Sequence, residues 1–257
     1  LKKNYTPYRF LFAAGGTGGH LFPAIAVAEA IRKAKPESEF LFLGTADKLE
    51  SKIIPSEGFN FKPLWISGFS RQLTLKNIMF PLKLFVSMMQ SLVINMKFKP
   101  RVAVGAGAYV AGPALWGASI MGSKIILLEQ NTYPGITNRL LEKKATEVHL
   151  SFEESKKYFR MQEKLFVSGN PVRTDLSLID KSEAKRMLGL EPDKKTLFIL
   201  GGSLGAKSLN AAAAENLDRL KDEGIQVIWQ CGSIYYEEYK KYENPNVKIY
   251  AFIDEMS

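Results

Sequence analysis

Residues 10–30, FLFAAGGTGGHLFPAIAVAEA, place four glycines and a histidine between an apolar run and a helical pattern. A turn of this kind aims backbone N–H groups and the positive end of a helix dipole at one point, which holds phosphate without a lysine. Its glycines permit positive φ and close approach of a ligand to the backbone. The turn has no Gly-Lys-Ser/Thr ending of a P-loop, and Gly15-Gly16-Thr17-Gly18-Gly19 is not G-x-G-x-x-G. His20, at its end, reads as a general base, a hydrogen-bond donor to phosphate, or a helix cap. Glu129 closes the apolar run LLEQN and is either a second acid/base candidate or a loop organiser. Arg173 in GNPVRTD offers a guanidinium to phosphate or forms an ion pair between domains. GGSLG (201–205) also fits the G-x-S-x-G nucleophile elbow, but both histidines, His20 and His149, precede Ser203, against the order of that triad. A serine hydrolase is therefore a minor alternative, and Ser203 reads more simply as a donor at a helix start. His149 reads as a strand residue with a satisfied ring. No Asp-x-Asp pair and no His/Cys cluster has metal spacing, so the expectation is metal-independent chemistry with no cofactor.

These residues need a scaffold that repeats one theme: apolar strand, glycine-rich turn, helix. It occurs at RFLFAAGGTGGHLFPAIAVAEAIRKA, at RVAVGAGAYVAGPALWGASI and at TLFILGGSLGAKSLNAAAAENLDRL. Further strand candidates are EFLFLGT, KIILLEQN, TEVHLSF, LFVSGN, QVIWQCG and VKIYAFI. Near-continuous apolar strands alternating with helices predict parallel sheets covered on both faces. Ligands bind such sheets at the carboxyl ends of the strands, where all three turns fall. Pro23 and Pro113 are expected near first-turn helix positions. The third turn opens a second sheet, so the reading is an α/β chain of two doubly wound domains, 1–167 and 168–257. The second domain shows about four strands before AFIDEMS and reads as incomplete, with an open sheet edge and an uncovered apolar face.

The chain has 257 residues, is 46% hydrophobic and 24% charged, and carries a net charge of +9, which favours an anionic partner. No nucleic-acid motif accompanies that charge, so nucleic-acid binding is not expected. A single cysteine, Cys231, excludes an internal disulfide. Residues 102–123 are uncharged, yet their glycines and Pro113 argue for strand, turn and helix rather than a membrane span. Residues 68–101 are basic, free of acidic residues and rich in Phe, Leu, Ile and Met. That composition fits a core-packing helix after Pro81, and equally a surface resting on anionic lipid.

The motifs GGTGGHLFPAIAVA, LGTADKLES, GAGAYVAGP, EQNTYPGITNRLL, GNPVRTD, GGSLGAKSLN and FIDEM follow one another in that order. Together they resemble the MurG family of peptidoglycan N-acetylglucosaminyltransferases over essentially the whole chain. The resemblance implies a GT-B fold, two Rossmann-like domains facing a cleft, in a peripheral protein on the cytoplasmic side of the cell membrane. It implies inverting transfer of N-acetylglucosamine from UDP-N-acetylglucosamine to undecaprenyl-diphospho-muramoylpentapeptide. On the matching positions, Thr17, Gly18 and Gly19 form the first ligand loop, and Asn131, Arg173, Ser203 and Ile253 contact the UDP-sugar. His20 is the first candidate for acceptor activation and Glu129 the second. The family's membrane patch lies in the first domain, which points to residues 68–101. Leu128 stands where the family commonly has histidine. Family members continue for roughly a hundred residues beyond FIDEM, so weak or no donor binding by these 257 residues is expected. The competing readings are a non-catalytic membrane-binding remnant and another UDP-sugar enzyme such as an epimerase.

Overall fold

The structure, a computed structural model, describes residues 7–68, 79–172, 180–202 and 204–253. The chain divides into two compact units, Leu1–Thr174 and Asp175–Ser257. The first unit runs β1 (Arg9–Ala13), α1 (Gly18–Ala34), β2 (Glu39–Gly44), α2 (Glu50–Ser56), β3 (Asn60–Pro63), α3 (Phe80–Phe98), β4 (Val102–Gly105), α4 (Ala111–Ile120), β5 (Lys124–Glu129), α5 (Ile136–Leu141), β6 (Glu147–Leu150) and β7 (Leu165–Val167). Its seven strands are all parallel, in the order β3-β2-β1-β4-β5-β6-β7. The second unit runs α6 (Lys181–Met187), β8 (Thr196–Leu200), α7 (Lys207–Glu215), α8 (Leu217–Asp222), β9 (Gln226–Gln230), α9 (Tyr236–Tyr239) and β10 (Val247–Tyr250). Its parallel sheet has the order β10-β9-β8.

Strand alternation builds two cores in the first unit. Phe10, Phe12, Phe40 and Phe42 face Leu21, Ala24, Ile25 and Ala28 of α1, and the Phe12 and Phe42 rings stack at 4.9 Å. On the other face Leu11, Ala13, Leu41, Leu43 and Ala103 meet Ala111, Ala114, Leu115 and Ala118 of α4. Near-continuous apolar strands follow from burial on both faces. Residues 102–123 form β4, a turn and α4, as the glycines and Pro113 required.

Two details depart from the sequence reading. The strand β3, NFKP, carries no apolar run because it is an edge strand whose residues are exposed or half-buried. Pro23 is the sixth residue of α1, beyond the first turn, so the backbone carbonyl of Gly19 lacks its usual helical donor. Pro113, the third residue of α4, does lie in a first turn.

α3 inverts the usual division of faces. It buries Ser87, Ser91 and Asn95, spaced four apart, and exposes Leu82, Phe85, Met89, Val93 and Met96. The polar stripe packs on α4, where Ser91 Oγ donates to the Ala114 carbonyl at 3.2 Å. Gly117 makes this approach possible, since a Cβ there would stand 2.5 Å from Ser91 Oγ. Leu84, Ile94 and Phe98 supply the core-packing part of the segment. Among the described residues no helix is long and apolar enough to cross a membrane.

In the second unit Trp229, fully buried on β9, anchors a core of Ile199, Ala213, Val227, Tyr239, Val247 and Ile249. Its indole N–H donates to Asn210 Oδ1 at 3.0 Å, and Asn210 Nδ2 donates to the Cys231 carbonyl at 2.8 Å. β8 is an edge strand of this sheet and leaves Leu197, Phe198 and Leu200 exposed along an open groove.

Candidate functional site

The strand order of the first unit reverses at β1 and β4, and ligands of open parallel sheets bind at such a switch point. The turns after β1 and β4 flank it. Gly16 has φ +81°, and Thr17, extended at the helix cap, gives its carbonyl to the N–H groups of His20 and Leu21. Thr17 therefore caps α1 through its backbone, and its side chain makes no capping bond to the first N–H groups of the helix.

A fully buried carboxylate fixes this turn. Glu50 Oε2 accepts from Gly16 N at 3.1 Å, while Oε1 accepts from Thr45 N at 2.9 Å and Thr45 Oγ1 at 2.7 Å. Three donors offset the desolvation of that carboxylate. A Cβ on Gly15 would stand 2.3 Å from Glu50 Oε1, so glycine there is a packing requirement. Thr45 also hydrogen-bonds Tyr109, whose hydroxyl pKa burial pushes up. Nothing in LGTADKLES alone assigns Glu50 this role; the available signal is an acidic residue inside a motif of a basic chain.

His20 gathers three strand ends. Its Nδ1 lies 3.2 Å from Gln130 Oε1, beyond β5. Gly107, beyond β4, has φ +92° and would put a Cβ 2.9 Å from the same nitrogen. Gln130 Oε1 can only accept, so the contact suits the tautomer with its proton on Nδ1, in which Nε2 carries the lone pair. Gln130 was not singled out from sequence, since 110 residues separate it from His20.

Glu129 is 2% exposed and has both oxygens occupied. Oε1 accepts from Asn131 N at 3.0 Å and Asn131 Nδ2 at 2.9 Å. Oε2 accepts from Gly135 N at 3.0 Å and Asn138 Nδ2 at 2.9 Å. Both oxygens of Glu129 thus hold the loop that follows β5, including the Asn131 side chain. Leu128 is buried in the core beside α1, and its carbonyl accepts from Asn138. His149 lies on β6, with Nε2 3.0 Å from Glu147 Oε2 and its ring stacked on Phe166.

In the second unit the turn after β8 closes with Gly205 N donating to the Gly202 carbonyl at 3.2 Å. Gly202 and Gly205 have φ +77° and +81°, and α7 starts immediately beyond. A Cβ on Gly205 would stand 2.0 Å from the Cys231 carbonyl, and one on Gly232 2.2 Å from Gly205 N. Ile253 N donates to Gln230 Oε1 at 2.9 Å. Arg173 and Ser203 lie outside the described residues, as do residues 69–78 of the basic segment. Thr17, Gly18, Gly19, His20, Glu129 and Asn131 thus belong to one unit, and Ile253 to the other. Among the described residues no group of three or more His, Cys, Asp or Glu could hold a metal ion.

Comparison with known proteins supports the same two-part organisation. The glycosyltransferase family 28 N-terminal domain matches residues 10–150, and the C-terminal domain of that family matches residues 196–257. A UDP-N-acetylglucosamine--N-acetylmuramyl-(pentapeptide) pyrophosphoryl-undecaprenol N-acetylglucosamine transferase of Flavobacterium psychrophilum is 44% identical over 252 residues, covering 97% of this chain and 68% of that relative. The enzyme of the same name from Christiangramia forsetii is 43% identical over 96% of this chain and 68% of its own. The crystal structure of Acinetobacter baumannii MurG superposes with a TM-score of 0.67 at 25% identity, over 97% of this chain and 68% of that one. A UDP-GlcNAc 2-epimerase from Neisseria meningitidis gives 0.65 over 96% and 73% at 14% identity, a likeness of fold alone. With both family domains in order and this identity along nearly its whole length, the chain belongs to the MurG group of glycosyltransferase family 28.

Proposed function

We infer that this chain is an N-acetylglucosaminyltransferase of peptidoglycan synthesis, moving N-acetylglucosamine from UDP-N-acetylglucosamine to undecaprenyl-diphospho-muramoylpentapeptide. The observation that carries the reading is the 44% identity over 97% of the chain to a relative whose name states this transfer. The site geometry supplies a compatible mechanism. The Thr17–Gly19 turn and the start of α1 offer backbone N–H groups to a diphosphate. The acceptor hydroxyl gives its proton to His20 Nε2 as its oxygen attacks the anomeric carbon. The bond from that carbon to the diphosphate oxygen breaks on the opposite face, UDP leaves with the electron pair, and the anomeric configuration inverts. Glu129 acts through the loop it holds rather than as the base. Residues 1–167 are assigned to the acceptor and the membrane, and residues 168–257, with Asn131 of the first region, to the donor. Arg173, Ser203, Asn131 and Ile253 are the donor contacts. Ser203 and the start of α7 are assigned the stabilisation of the charge that develops on departing UDP.

Labelled UDP-N-acetylglucosamine offered to the enzyme with and without the lipid-linked acceptor tests this reading. Label should enter the lipid fraction only when acceptor is present. Free epimerised sugar formed without acceptor would instead support the epimerase reading.

Membrane association is the second part of the proposal. Leu82, Phe85, Val93 and Met96 are about half exposed or more, on one face of α3. Covering the exposed half of each would contribute about 1 kcal/mol, so a helix that hides serines and shows these is shaped for an apolar surface. Lys97 and Lys99 are exposed at its end, suited to anionic headgroups on the cytoplasmic side. The double variant Leu82→Ser, Phe85→Ser should lower co-sedimentation with phosphatidylglycerol vesicles several-fold while the far-UV circular dichroism stays unchanged. Undiminished binding by that folded variant would contradict the patch.

A further inference from the structure

We infer that Gln230 is a positioning residue for the sugar-nucleotide donor, joining through one side chain the two segments that the donor reading assigns to it. The inference rests on that reading of Ser203 and Ile253. Gln230 is the last residue of β9, the central strand of its sheet, and therefore stands at the ligand end of a parallel sheet. Its side chain is 1% exposed. Nε2 donates to the Gly202 carbonyl at 3.0 Å, in the turn that leads through position 203 into α7. Oε1 accepts from Ile253 N at 2.9 Å, in the segment beyond β10.

The orientation of the amide is forced, because a carbonyl can only accept and a backbone N–H can only donate. Turning the amide over would break both bonds. The main chain reinforces the arrangement, since Gly201 N donates to the Gln230 carbonyl at 3.3 Å. Among the described residues the glycine turn and Ile253 are thus tied through a single buried amide, each on one side of β9. Glutamate at this position would keep the Ile253 bond but set an acceptor oxygen against the Gly202 carbonyl. Methionine would fill the space but bond neither group, leaving Ile253 N without this acceptor and the Gly202 carbonyl with Gly205 N as its donor.

The test is steady-state kinetics of the full-length enzyme with Gln230→Met, Gln230→Glu and Ser203→Ala, each first checked for folding by circular dichroism. Gln230→Met should raise the KM for UDP-N-acetylglucosamine about tenfold, the size of one or two hydrogen bonds. kcat and the KM for the lipid acceptor should stay within about twofold, which a general loss of structure would not allow. Gln230→Glu should give a smaller rise in the same constant. If Gln230→Met does not fold, Gln230→Glu decides, and an unchanged donor KM in it overturns the inference. A rise in donor KM for Ser203→Ala, with none in a folded Gln230 variant, overturns the positioning role alone. No rise in either overturns the donor reading beneath it.

Discussion

Replacing His20 by alanine is expected to lower kcat by about 10²–10⁴-fold, the contribution of a positioned general base, with the KM for UDP-N-acetylglucosamine little changed. The expectation follows from the ring's setting. Gln130 Oε1 lies 3.2 Å from Nδ1, and a Cβ added at Gly107 would stand 2.9 Å from the same nitrogen, so Nε2 is the nitrogen left to meet a substrate hydroxyl. Single-turnover transfer at saturating donor and acceptor reads the effect on chemistry directly. Glu129→Gln serves as the contrast. Its carboxylate is fully engaged by Asn131, Gly135 and Asn138, so the amide disturbs the loop by setting an N–H₂ against those donors. That variant should show its loss mainly as weaker binding through Asn131. A kcat for His20→Ala within threefold of the parent, or a larger drop in kcat for Glu129→Gln, would move the base elsewhere.

The second large effect is on stability. Gly205→Ala is expected to destabilise the second unit by about 2–5 kcal/mol, combining a left-handed backbone with forced overpacking. The added carbon would lie 2.0 Å from a backbone carbonyl, which cannot swing aside as a side-chain tip could. Gly202→Ala is the internal control. Gly202 has nearly the same φ but nothing within 4 Å of the added carbon, so about 1 kcal/mol is expected from the backbone alone. Cys231, the single cysteine of the chain and fully buried, reports opening of this unit through its reactivity toward a thiol reagent. With a urea dependence of about 1–3 kcal/mol/M, the labelling midpoint should fall by about 1 M or more for Gly205→Ala and much less for Gly202→Ala. Equal shifts would mean that the close approach of Gly205 and Cys231 carries no strain.

Local pattern carried the reading of this chain as far as contacts between neighbours in sequence reach. The three glycine turns, the parallel strands and the strand-turn-helix at 102–123 all follow from runs of a few residues. What escaped was set by distance along the chain. Gln130 meets His20 across 110 residues and Glu50 meets Gly16 across 34, and no spacing rule links such pairs. β3 escaped because an edge strand needs no apolar run, and Pro23 sits deeper in its helix than its distance from the glycines suggested. The basic, apolar segment was legible as composition, but which side of it faces outward was not. Ser87, Ser91 and Asn95 at four-residue spacing were the readable clue, since a buried polar stripe on a helix implies close packing against another helix.

The most direct test of the central claim is the linkage of the product that the full-length enzyme makes from UDP-N-acetylglucosamine and undecaprenyl-diphospho-muramoylpentapeptide. Proton NMR of the isolated lipid-linked disaccharide should show a β-anomeric N-acetylglucosamine, formed with one UDP released per sugar transferred. An α linkage would contradict the single inverting displacement assisted by His20. UDP release with no sugar on the lipid would contradict the transferase itself.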